Sequence, residues 1–304
     1  MSGNTPLVSV GMPVFNGERY IRQALDSLLA QDYENFELII SDNASSDQTG
    51  EICQAYAARD KRIRYYKNEA NFGATKNFIR VLDLASGQYF MWAAHDDLWD
   101  PRFMSACVSA LERNPSAILC TTSATFIDKE GKMVDKYDED IDTVGLDTLS
   151  RLGKVLRGVA SNTSFYGISR TKTTRQIRLP NHYGGDHVFM AEMSLYGEFI
   201  RLPQYYFYCR IGGTGYSIEK VMRSLGIRSP FVRYLPNLSF FIDFLRAAAS
   251  WEMLGPMDRL RATRLVIKRF ASHPYRERII NDVRNPIYNQ VRHAVKRAIR
   301  GASL

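Results

Sequence analysis

Four short apolar runs, each followed by a helical pattern, fill the first part of this chain, and that alternation restricts its fold more than any other feature. Residues 7–12 are an apolar run ending at Pro13. Tyr20, Ile21, Ala24, Leu25, Leu28 and Leu29 then recur at helical spacing. Residues 36–41 are the next run, ending at Asp42, and Ser45-Ser46-Asp47-Gln48 reads as a capping box for a helix through Ala58. A third strand is predicted over 63–66. The helix over 73–85, with Phe78, Ile79, Leu82 and Ala85 on its apolar side, stops at Ser86-Gly87. Residues 89–93 form the fourth run. Repeated β-α-β units of this length require right-handed crossovers, which predicts an α/β fold with a mainly parallel sheet flanked by helices.

The pattern then changes. A helix is predicted over 101–113, a strand over 118–127 turning at Lys129-Glu130-Gly131, an acidic loop over 135–142 and a strand over 164–168. Gly184-Gly185-Asp186 reads as a turn into a helix over 187–196 closed by Gly197, followed by an extended aromatic segment over 199–209. From about Val221 the sequence is helical and basic. The expected division is an α/β domain over 1–220 and a helical, basic region over 221–304.

In a parallel α/β sheet, ligands bind at the C-terminal ends of the strands. Three features sit there: Pro13-Val14-Phe15-Asn16, Asp42-Asn43 and His95-Asp96-Asp97. Two carboxylates at the end of a buried strand are costly unless something positive lies beside them. Asp100, followed by Pro101, is placed to cap the next helix, so capping does not account for the pair. Asp96 and Asp97 therefore suit a hard divalent cation bound through oxygen, with a solvated acidic turn as the alternative. No GxGxxG opens the first helix, which disfavours a dinucleotide fold, and the absence of GxxxxGK[ST] excludes P-loop chemistry.

The 304 residues, 45% hydrophobic, are enough for one sizeable core plus a smaller unit. Cys53, Cys107, Cys120 and Cys209 form no CxxC motif, and such sparse usage fits a reducing compartment. The first residues lack the charged and apolar regions of a signal peptide. The most apolar stretch, 238–254, is broken by Asp243, Arg246 and Glu252. A cytoplasmic location is expected. The net charge of +8 comes from the tail, where Asp258, Glu277 and Asp282 are the only acids after Gly255. Arg292, Lys296, Arg297 and Arg300, interleaved with Val291, Val295 and Ile299, predict a short amphipathic helix. It suits an anionic membrane surface at the inner face of the plasma membrane, a homo-oligomer contact or a plain solvated surface.

Four segments together resemble a family 2 glycosyltransferase with a GT-A fold: Val8-Ser9-Val10-Gly11-Met12-Pro13-Val14-Phe15-Asn16, Ile39-Ile40-Ser41-Asp42-Asn43-Ala44-Ser45-Ser46-Asp47, Asn71-Phe72-Gly73-Ala74-Thr75-Lys76-Asn77 and Asp96-Asp97. The resemblance covers roughly the first two thirds of the chain. It implies a nucleotide-sugar donor of UDP or dTDP type, with Pro13, Val14 and Phe15 lining the base pocket. Asp42 would accept the ring N–H of uracil or thymine, Lys76 would reach the base or diphosphate, and Glu18 and Asn71 would lie near the base. Asn71 also reads as a turn residue and Glu18 as first-turn helix charge. Asp96, with Asp97, would hold Mg²⁺ or Mn²⁺ against the donor phosphates. The family often has DxDD here. This chain has Ala94-His95-Asp96-Asp97, so His95 could take the place of the missing carboxylate, bind metal, or be structural. Asp186 would be the general base, which also suits a helix N-cap. The glycine-rich loop within 208–217 would be a mobile lid over the diphosphate, with Arg210 nearby.

The QxxRW signature of processive synthases is missing, which implies single-sugar transfer, with inversion, to a glycan or lipid-linked acceptor in surface polysaccharide assembly. No nucleic-acid partner is implied. A non-catalytic glycan-binding homologue and a nucleotidyltransferase are the competing readings. The second would need a glycine-rich basic phosphate loop, which this N-terminus lacks.

Overall fold

The computed structural model describes residues 6–158, 161–212, 224–226 and 229–284. The chain forms two compact units, one of residues 1–181 with 186–216 and one of residues 182–185 with 217–304.

The first unit is built on a nine-stranded sheet. Its first half alternates β1 (Val8–Val14), α1 (Ile21–Leu29), β2 (Phe36–Asp42), α2 (Thr49–Ala57), β3 (Ile63–Lys67), α3 (Ala74–Asp83) and β4 (Tyr89–Trp92). The second half holds β5 (Leu98–Trp99), α4 (Phe103–Arg113), β6 (Ala117–Ile127), β7 (Met133–Tyr137), α5 (Thr148–Gly158), a 3₁₀ turn (Thr163–Tyr166), β8 (Ile168–Arg170), α6 (Thr171–Thr174), α7 (Gly185–Tyr196) and β9 (Glu198–Arg210). The strand order is β3-β2-β1-β4-β8-β6-β9-β5, with β7 on β6. The β1–β2, β1–β4, β2–β3 and β6–β9 pairings are parallel, and short antiparallel pairings of β5, β7 and β8 complete the sheet.

Strand alternation divides the core between the two faces of this sheet. Leu38, Ile40, Tyr89 and Met91 pack on one face with Ile21, Leu25 and Leu28 of α1 and Phe103 and Leu111 of α4. Ile39, Phe90 and Trp92 point the other way and pack with Val81, Phe165 and Phe189. Side chains of period two from strands and period 3.6 from helices thus meet in two layers.

Several local expectations need correction. Asp100 does not cap a helix starting at Pro101. Leu98–Trp99 pairs with β9, α4 begins at Phe103, and the Asp100 carboxylate accepts the Arg102 N–H and guanidinium. The acidic segment 135–142 is not all loop, because 133–137 pairs antiparallel with β6. The strand expected at 164–168 is a 3₁₀ turn leading into β8. Ser45 does not cap α2. Its hydroxyl accepts the Asn16 N–H, while Asp47 takes the Thr49 N–H and Glu18 takes the Gln48 N–H.

The described part of the second unit is helical: α8 (Pro230–Tyr234), α9 (Pro236–Ser250), α10 (Pro256–Ala271) and helical residues 275–284. Phe240, Phe244 and Phe270 pack together, and the Arg269 guanidinium lies over the Tyr275 ring. Asp282 accepts the N–H groups of Asn237 and Leu238, satisfying donors that the first turn of α9 leaves open. Arg292, Lys296, Arg297 and Arg300 lie outside the described residues.

Candidate active site

The crevice begins where β1 and β4 part. Their pairing ends at Gly11 and Trp92, and the Gly11 carbonyl accepts the Ala93 N–H. Pro13, two residues on, faces the same way, so its missing N–H leaves no strand partner unsatisfied. Val14 is buried and its carbonyl accepts the Asn43 N–H, while Phe15 emerges 44% exposed. Asn16 and Ala44 both hold left-handed backbone, with φ of 51° and 60°. Strain of this kind, about 1–3 kcal/mol per residue, concentrates where loops are shaped for a ligand.

Asp42 is fully buried at the end of β2. One carboxylate oxygen accepts the Ser45 N–H at 2.8 Å and the other the Tyr65 hydroxyl at 2.8 Å. Asp42 thereby closes the turn that follows β2. Beside it runs an amide chain: Asn77 donates to the Ser41 carbonyl, Asn68 to Asn77 and Asn43, and Asn43 to Asn71. Asn71 also accepts the Gly73 N–H, which makes it a turn residue leading into α3. Glu18 is exposed and spends one oxygen on the Gln48 N–H, and Lys76 is exposed on the first turn of α3.

The turn after β4 brings three titratable residues together in different surroundings. His95 is buried, with its ring packed on Gly17. A Cβ added to Gly17 would lie 2.6 Å from His95 Cδ2. Burial pushes the imidazole pKa down, and its Nε2 is buried with no hydrogen-bond partner among the described residues. Asp97 is also buried. It accepts the Arg210 N–H at 2.8 Å, and burial and the neighbouring Asp96 push its carboxyl well up. Asp96 is the half-buried member of the pair.

Arg210 ends β9, 2% exposed, and its guanidinium donates to the carbonyls of Asp96 and Asp128 and to Gln23 Oε1. It also stacks 4.4 Å above the Tyr20 ring. These contacts use the cation to hold the β4 turn against β9. Residues 213–217 of the expected lid lie outside the described residues.

Asp186 was expected just before a helix starting at His187. The helix starts at Gly185, so Asp186 sits within its first turn, where the helix dipole favours a carboxylate. Its Oδ1 accepts the His187 N–H at 3.0 Å, and its Oδ2 accepts Asn162 Nδ2 at 2.7 Å. Burial, followed by the charges of Asp97, Asp96, Cys209 and Asp186, pushes the Tyr166 phenol well above its ordinary pKa. Aromatic packing joins α7 to β4: Trp92 stacks on Phe165 at 4.5 Å, and Phe189 of α7 meets both rings edge-on. Sequence reasoning missed Asn68, Asn77, Asn162 and Tyr166. Only the Ser161-Asn162-Thr163-Ser164 cluster gave a signal, and it reads simply as a loop.

The sequence model of glycosyl transferase family 2 matches residues 9–193, more than half of the chain. The chain belongs to that family. It is 38% identical over 115 residues to an uncharacterised glycosyltransferase of Rickettsia typhi, a match covering 37% of this chain and 35% of the relative. It is 35% identical over 111 residues to one of Haemophilus influenzae, covering 36% and 34%. The match thus spans about a third of the length of these relatives. Among solved structures, S. aureus TarS superposes with a TM-score of 0.65 at 18% identity, over 88% of this chain and 44% of TarS. The mannosyltransferase PcManGT of Pyrobaculum calidifontis, in complex with GDP-Man and Mn²⁺, superposes with a TM-score of 0.55 at 15% identity, over 95% of this chain and 88% of that one. The fold is of GT-A type, a mainly parallel sheet flanked by helices.

A divalent ion of the kind this family suggests can be tested against the donor set. Among the described residues no three His, Cys, Asp or Glu side chains gather into a metal cluster. Mg²⁺ and Mn²⁺ need none, because they keep several waters and are held by one or two carboxylates plus substrate phosphates. The half-buried Asp96 fits that pattern, while the buried, backbone-bonded Asp97 fits a supporting role.

Proposed function

We propose that this protein is an inverting, metal-dependent glycosyltransferase that moves a single sugar from a nucleotide sugar of UDP or dTDP type to a hydroxyl of a glycan or lipid-linked acceptor. The observation that carries this reading is the packing of α7, which opens with Asp186, against β4, which leads to Asp96: Phe189 meets the stacked Trp92 and Phe165 rings beside the crevice between β1 and β4. Related folds have been solved with UDP and with UDP-GlcNAc, both as TarS complexes, which supports the choice of donor.

The base rests against exposed Phe15 and the backbone around Pro13 and Val14. Asp42, oriented by Ser45 and Tyr65, offers its remaining lone pairs to the ring N–H. Lys76 reaches toward the diphosphate. Asp96 would hold Mg²⁺ or Mn²⁺, which would neutralise charge developing on the leaving nucleoside diphosphate. Asp186 takes the proton of the acceptor hydroxyl, which attacks the anomeric carbon on the face opposite the leaving group.

Two substitutions test this reading. Asp96→Ala is expected to abolish transfer and metal-dependent donor binding. Asp186→Asn is expected to lower kcat by roughly 10²-fold or more while sparing donor affinity. Wild-type transfer by Asp96→Ala would sink the metal assignment, and normal turnover by Asp186→Asn the base.

The acceptor reading extends to location. No helix among the described residues is long and apolar enough to cross a membrane. Lipid-linked acceptors are met at a surface, and the basic second unit suits peripheral docking on the anionic inner leaflet.

A further inference from the structure

We propose that Asn162 is a positioning residue for Asp186, holding the carboxylate in the orientation that proton abstraction requires. The inference rests on Asp186 as the base and adds to that reading the residue that orients it.

Three observations converge on Asn162. Its Nδ2 donates to Asp186 Oδ2 at 2.7 Å, and an amide facing a carboxylate must present its NH₂ group. Its backbone is left-handed, φ 56° and ψ 31°, which a non-glycine residue adopts at a cost. Its Oδ1 is buried with no hydrogen-bond partner among the described residues, so the amide is oriented for what its nitrogen does, not for full satisfaction of both ends. A buried carboxylate fixes the turn from behind. Glu139, 3% exposed, accepts the N–H groups of Asn162 and Ser164 at 3.0 and 2.9 Å and the Thr163 hydroxyl at 3.2 Å. Phe165, three residues on, is stacked against Trp92, so the turn cannot drift from β4.

A hydrogen bond donated to a carboxylate favours its charged form, which is the form that accepts a proton. The His187 N–H orients the other oxygen of Asp186. The other titratable groups near it are the Tyr166 phenol on the 3₁₀ turn, His187 next along α7 and Glu139 behind Asn162, with Asp96, Asp97 and Cys209 also acting on the Tyr166 phenol. Asn162 Nδ2 donates to the second oxygen of Asp186 at 2.7 Å. Loss of its amide therefore bears directly on Asp186.

The test is the pH dependence of kcat/KM in the full chain with saturating divalent ion, read alongside donor affinity. Asn162→Gly tolerates the left-handed backbone and removes the donor. It is expected to lower kcat, leave donor KM unchanged and move the acid limb to higher pH. Asn162→Asp keeps the shape of the side chain and tolerates the same backbone, but places a second carboxylate against Asp186. Two like charges at this distance resist joint ionisation, so its acid limb is expected to move up further, by about one pH unit or more. A profile for Asn162→Asp that superimposes on the wild type, or a loss in either variant confined to donor KM, overturns the proposal. Asp186→Asn separates the two layers. If it is inactive while the Asn162 variants keep the wild-type profile, positioning fails and the base stands; if it turns over normally, the base reading fails and the positioning role falls with it.

Discussion

At the scale of single residues, this site is shaped by contacts too close to change. Gly17 faces the His95 ring, and any Cβ there would lie 2.6 Å from His95 Cδ2 and 2.8 Å from Val14 Cγ2. Both neighbours belong to the strand ends that frame the crevice, and neither is the far end of a flexible chain. Overpacking of this kind costs about 1–3 kcal/mol. Gly17→Ala is therefore expected to lower the unfolding free energy by that amount and to weaken donor binding, because relief comes from moving His95 and Val14. Denaturant unfolding with a parallel donor titration checks both. Unchanged values would mean that His95 has room to move. The same contact shows what the sequence hides about His95: burial pushes its imidazole pKa down, and a glycine 78 positions earlier in the chain, invisible as a partner in sequence, packs against the ring.

At the scale of elements, one buried carboxylate ties the parallel strands together. Glu37 of β2 accepts the Ser9 hydroxyl of β1 at 2.6 Å, the Arg64 guanidinium of β3 at 2.7 Å, and the N–H and hydroxyl of Ser86 beyond α3. Burial alone would raise its pKa, but the hydrogen bonds from Ser86, Ser9 and Arg64 outweigh it and hold the carboxyl below its ordinary value. A carboxyl lowered by folding stabilises the fold above its unfolded pKa, and that contribution is lost as the pH falls through the folded value. Glu37→Gln is expected to be less stable than wild type at pH 7 and to lose less stability on acidification below about pH 4.5. Unfolding midpoints measured against pH decide it, and parallel curves would remove Glu37 from the acid response. The three βα units and fourth strand around this contact were legible because strands buried on both faces, β1, β2 and β4, read as near-continuous apolar runs. Asp42, Asp96 and Asp186 were legible as residues that no apolar pattern explains. The second half of the sheet was harder to read. Residues 133–137 lie on an exposed edge, with Tyr137 packed on β6 through Phe126, and residues 163–166 form a 3₁₀ turn because Glu139, far back in the chain, supplies the acceptors its N–H groups need.

At the scale of the whole molecule, the positive charge has a definite place within the described part of the second unit. On α10, Met257, Leu260 and Ile267 are 65%, 45% and 45% exposed, and Arg261, Arg264 and Lys268 are exposed beside them. At 100° per residue these six positions fall within about a third of the helix circumference, and no carboxylate shares that arc. Ala262, Val266 and Phe270 occupy the buried side. An exposed stripe that is apolar and cationic at once suits the boundary of an anionic bilayer, where the apolar groups enter the headgroup region and the cations meet lipid phosphate. The docking surface proposed for this protein is therefore this face of α10. The full chain is expected to sediment with phosphatidylglycerol vesicles at low salt, to be released by high salt and to ignore phosphatidylcholine vesicles. Each basic residue near such a surface contributes about 1 kcal/mol, so reversing Arg261, Arg264 and Lys268 to Glu should weaken partitioning by roughly 10²-fold. Replacing Met257, Leu260 and Ile267 with Ser should weaken it while keeping its dependence on salt, because the electrostatic contribution survives. Wild-type binding by the charge-reversed chain would move the contact elsewhere. Concentration-dependent self-association abolished by the serine variants, with no vesicle binding by the wild type, would assign the face to a second copy of this chain.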